Sequence, residues 1–68
     1  LSFKEQRELE ELPARIETLD GQIAALTAQI QDPAFYRQPA DAVTAANARL
    51  SSLQAELEQA YARWNELE

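Results

Sequence analysis

Apolar residues recur along this chain at alternating steps of four and three. Leu12, Ile16, Leu19, Ile23, Leu26 and Ile30 form one such run, with Ile at every a position and Leu at every d position of a heptad. Val43, Ala46, Leu50, Leu53, Leu57, Ala60, Trp64 and Leu67 keep the same rhythm in a second run. Sustained heptads mark helices that bury one narrow stripe against a partner helix. Two stripes in one chain predict an all-α fold, an antiparallel two-stranded intramolecular coiled-coil hairpin. Antiparallel pairing without leftovers sets Ile30 against Ala46, Leu26 against Leu50, Ile23 against Leu53, Leu19 against Leu57, Ile16 against Ala60, Leu12 against Trp64 and Leu9 against Leu67. The two small alanines then face β-branched isoleucines, so size is matched layer by layer. Sliding the pairing by a heptad leaves Trp64 and Leu67, or Val43 and Leu50, without partners and wastes apolar surface.

Prolines and one cap divide the chain. Ser2-Phe3-Lys4-Glu5 fits the capping box S-x-x-E, so a helix begins at about residue 3. Pro13 has no amide hydrogen and its ring crowds the carbonyl four residues back, which predicts an end or kink near Glu11 and Leu12. The expected elements within a single domain 1–68 are therefore a short helix over about 3–11, a helix over about 13–31, a tip over 32–39 and a helix over about 40–67. Asp32-Pro33 supplies a cap and a first-turn proline for one helical turn in the tip. Gly21 falls at a solvent-facing f position, where it costs about 1 kcal/mol of helix propensity without disturbing the stripe. Of the residues flanking the stripes, Arg15 and Arg63 meet at g positions. Glu11, four residues before Arg15, eases that approach, and the nearest acid to Arg63 is Glu66 on its own helix.

Composition narrows the chemistry. There is no Cys and no His, which excludes disulfides, thiolate or imidazole metal sites, and Cys/His or Ser/His catalytic pairs. No nucleophile is paired with a base, and no enzymatic activity is expected of these residues. No apolar stretch approaches a membrane span, no basic-then-apolar leader opens the chain, and a cytoplasmic segment of something longer is expected. With 12 acidic and 6 basic residues the net charge is −6, which works against the phosphate backbone of nucleic acid. The carboxylates Glu10, Glu11, Glu56, Glu58, Glu66 and Glu68 read as solvated helix faces rather than metal ligands.

Two places carry candidate contacts. Phe35, Tyr36 and Arg37 put rings and a cation at the tip, a combination suited to stacking on bases beside a phosphate or to insertion into a larger assembly. As packing elements, Phe35 and Tyr36 would instead plug the end of the coiled coil against Ile30 and Val43. Lys4 and Arg7, one turn apart near the opening, could touch phosphates, but Glu5, Glu8, Glu10 and Glu11 surround them. Phe3 or Leu9 is expected to close over Trp64 there.

The opening Leu1-Ser2-Phe3-Lys4-Glu5-Gln6-Arg7-Glu8-Leu9-Glu10, the stretch Leu12-Pro13-Ala14-Arg15-Ile16-Glu17, the bend Asp32-Pro33-Ala34-Phe35-Tyr36 and the close Tyr61-Ala62-Arg63-Trp64-Asn65-Glu66-Leu67-Glu68 together resemble the C-terminal domain of Uup-type ABC-F ATPases. The likeness runs over essentially the whole chain. It implies a coiled-coil tail of a cytoplasmic bacterial protein whose two ATP-binding cassettes, with their ATP and Mg, lie elsewhere, joined to the tail by a charged linker. No Gly-rich phosphate loop is present in these residues, and no cofactor is expected here. The resemblance further implies DNA binding by the tail and association of the parent with ribosomes and genome maintenance; the alternative is a structural or docking arm that binds its own cassettes, another protein or the ribosome with no direct nucleic-acid contact. Given the acidic balance, weak DNA or ribosome affinity and a monomeric tail are the expectation for this chain alone.

Overall fold

Ser2 opens the first helix as its sequence predicts. Its hydroxyl oxygen accepts from the Glu5 amide at 3.1 Å, and the Glu5 carboxylate accepts from the Ser2 amide at 3.2 Å, so two free donors of the first turn are satisfied. In the computed structural model, which describes all of residues 1–68, helix α1 then runs without interruption over Phe3–Gln31. The expected division near Glu11 and Leu12 is absent, and Pro13 sits inside the helix. Leu9 and Leu12 lie on the seam before Pro13 and Ile16 after it; Leu12 and Ile16 belong to the core cluster and Leu9 packs against it. Keeping them on one stripe requires a single rod. Pro13 itself is exposed, and the helix forgoes one backbone hydrogen bond there, the one to the Leu9 carbonyl.

The chain reverses without any residue in the left-handed region. Asp32 and Gln38, each preceding a proline, are extended at φ −72°, ψ 127° and φ −74°, ψ 161°. Between them Pro33–Arg37 forms a 3-10 turn, with the Asp32 carboxylate accepting from the Ala34 amide at 2.9 Å. Helix α2 occupies Ala40–Leu67 and starts with the Pro39 carbonyl accepting from the Ala42 and Val43 amides.

A 29-residue helix is about 44 Å long. The whole molecule measures 50 × 16 × 14 Å, so α2 must lie back along α1 rather than extend it. All fourteen stripe positions are buried or half-buried, as the heptads require. Burial is uneven along the seam. Leu12, Ile16, Leu19, Leu53, Ala60 and Leu67 form the core cluster, with Leu9, Ile23, Leu26, Leu57 and Trp64 packed against it. Toward the tip Ile30, Val43, Ala46 and Leu50 are half-buried only, and Phe35 is the one fully buried residue there.

Candidate functional site

The tip is built around the 3-10 turn. With three residues per turn, Phe35 occupies one face, Pro33 and Tyr36 a second, and Ala34 and Arg37 a third. Phe35 points inward and is 7% exposed, while Tyr36 is 62% exposed. The plug expected of both rings is therefore made by Phe35 alone. Tyr36 stands outside, held edge-to-face on Phe35 with ring centroids 5.2 Å apart and planes at 88°, a favoured aromatic arrangement. Gln38 closes the turn by donating both its amide, at 3.3 Å, and its side-chain Nε2, at 3.1 Å, to the Phe35 carbonyl. Arg37 is exposed and makes no ion pair.

Lys4 and Arg7 lie at the other end of the 50 Å rod. They line a shallow hollow together with Phe3, Glu8 and Glu11, so carboxylates share the surface that a phosphate would need. Arg7 approaches Glu11 at 3.9 Å, with both side chains largely exposed. The partner expected for Glu11, Arg15, makes no ion pair. Leu9 and Trp64 both pack against the core cluster, whereas Phe3, the other candidate, is 78% exposed.

One feature of the open end escaped the sequence reading. Arg63 reaches across from α2 to α1, donating Nε to Glu8 and Nη2 to Glu8 Oε1 at 3.3 Å, while Nη1 donates to Glu66 Oε2 at 3.0 Å. A planar guanidinium forked onto a carboxylate fixes geometry as well as charge. The Arg63 hydrogen bond holds Glu8 below the ordinary carboxylate value, and Glu8 and then Glu66 hold Arg63 above its own. Glu5 is likewise lowered, chiefly by its hydrogen bonds with Ser2. Both Glu8 and Arg63 occupy g positions, and the pairing of g with g across antiparallel helices was the signal available.

Charge is distributed unequally along the rod. Residues 1–17 and 56–68 carry nine carboxylates and four cations, whereas residues 18–55, toward the tip, carry three carboxylates and the two cations Arg37 and Arg49. Two of those three, Asp32 and Asp41, are engaged by the backbone amides of Ala34 and Ala42. No three acidic side chains converge as a metal site requires, and no helix is long and apolar enough to cross a membrane.

Comparison with known proteins places this geometry. Residues 1–68 match the ABC transporter C-terminal domain family. The whole chain is 52% identical to part of the ATP-binding protein Uup of Haemophilus influenzae and 43% identical to part of the ATP-binding protein Uup of Escherichia coli. It spans about a tenth of the length of these relatives, 10% and 11%. Among solved structures, the C-terminal domain of the Uup protein, described as a DNA-binding coiled coil motif, is 42% identical, with a TM-score of 0.90 over 98% of this chain and 79% of that one. The matched family and the solved neighbour agree with the all-helical rod described above. The chain belongs to the ABC transporter C-terminal domain family.

Proposed function

We propose that this chain is a non-catalytic DNA-binding module of a cytoplasmic ABC-F-type ATP-binding protein, whose cassettes hold the ATP and Mg. The observation that carries the reading is the likeness in both sequence and shape to a domain described as a DNA-binding coiled coil, 42% identical with a TM-score of 0.90. With a net charge of −6, the chain draws little affinity from phosphates by itself, and basic segments adjoining it in the longer protein supply the remainder. A salt titration of labelled DNA with the 68-residue chain and with the longer protein tests this. Salt-dependent association, stronger in the longer protein, is expected. An arm that only docks would show no association with DNA at any salt concentration while sedimenting with ribosomes or with the isolated cassettes.

A further inference from the structure

A DNA-binding rod with twice as many carboxylates as cations needs a source of affinity other than charge. Base stacking is such a source, because every nucleobase offers a π-face whatever the net charge of the protein beneath it. Four large apolar side chains are exposed on this molecule, Leu1, Phe3, Tyr36 and Tyr61. Three of them lie in the carboxylate-rich stretches 1–17 and 56–68, where a phosphate chain is repelled. Only Tyr36 lies in the nearly neutral stretch, and it is followed directly by the unpaired cation Arg37. The ring is also held in place before any ligand arrives. Buried Phe35 anchors the turn and meets Tyr36 edge-to-face, Asp32 caps its start, and Gln38 ties off its end. A pre-set ring loses little freedom on binding.

We propose that the tip receives an unpaired nucleobase, with the Tyr36 ring stacking on the base and Arg37 meeting the adjoining phosphate. Single-stranded DNA, or DNA with an exposed base, is then preferred to closed duplex, whose bases already stack on one another. This inference rests on the DNA-binding reading above and adds to it the form of DNA and the residues that meet it.

Equilibrium titration of the chain with a labelled oligothymidine and with a duplex of equal length provides the test, helicity being followed by circular dichroism. The single strand should bind more tightly than the duplex. Tyr36→Ala should weaken single-strand binding by about 5- to 150-fold, the equivalent of one base–aromatic stack, while Tyr36→Phe, which keeps the ring, should stay within about 2-fold of the unchanged chain. Arg37→Glu should weaken it as well, and Lys4→Glu, at the far end, should not. If DNA is bound but Tyr36→Ala leaves the single-strand affinity intact, or duplex is preferred, the tip inference is overturned and the DNA-binding reading survives. If neither form binds the chain or the longer protein, both are overturned.

Discussion

At the tip, two adjacent aromatic residues have opposite assignments. Phe35 fills the end of the seam, and Tyr36 leans on it from outside. Phe35→Ala should therefore cost about 3–5 kcal/mol, the usual penalty for emptying a buried phenylalanine site. Tyr36→Ala should melt close to the unchanged chain, within about 1 kcal/mol. Equal melting shifts for the two variants would contradict the assignment. At the open end, Glu8 and Glu5 are both lowered from the ordinary value of 4.5, the first by Arg63 and the second by Ser2. A lowered folded value means that the unfolded chain takes up protons first. Stability is then full above pH 4.5 and declines as the pH falls through the lowered values. Thermal melts from neutral pH to about pH 3 should show this decline, and Glu8→Gln should make it shallower. Because both carboxylates are solvent-screened, the effect is small beside that of the seam.

At the scale of the element, α1 tolerates two residues that oppose helix formation. Pro13 removes one backbone hydrogen bond and Gly21 adds backbone freedom, yet the helix runs from Phe3 to Gln31. Tertiary packing explains this. Leu9, Leu12, Ile16 and Leu19 form one stripe only if the rod is continuous, and their burial against α2 outweighs the local cost. A side chain added at Gly21 would meet nothing within 4 Å. Gly21→Ala should accordingly stabilise the chain by about 1 kcal/mol, and Pro13→Ala, which restores the donor to the Leu9 carbonyl, by up to about 3 kcal/mol. Denaturant midpoints would measure both, and a loss of stability on Pro13→Ala would mean that the proline shapes the rod in a way the packing needs.

For the molecule as a whole, two helices and one turn leave few places to hide a side chain. Seven residues are buried, and six of them form a single cluster that runs from the open end to the middle of the rod. Removing one member should be felt throughout. Leu19→Ala, 4% exposed in the middle of that cluster, is expected to cost about 2–5 kcal/mol and to lower the helical signal of α1 and α2 together. Separate transitions for the two helices would be incompatible with one shared core. The charge layout belongs to this scale too. Carboxylates gather around the open end and are sparse over residues 18–55, so an anionic partner meets less repulsion in the part of the rod toward the tip than at the open end.

Heptad spacing by itself determined the fold class and the buried stripe. Each of the fourteen positions it selects is covered, because a period near 3.5 leaves one face of each helix apolar whatever else the chain does. The capping box at Ser2 and the proline-flanked bend were equally local, and equally legible. Three features depended on the second helix and were not. The continuity of α1 through Pro13 weighs a local loss against packing contributed from elsewhere in the chain. The Arg63 bridge to Glu8 joins residues 55 apart in sequence, which within-helix spacing rules do not connect. The division of labour between Phe35 and Tyr36 turns on which face of a 3-10 turn meets the end of the seam, and that orientation exists only once both helices are in place.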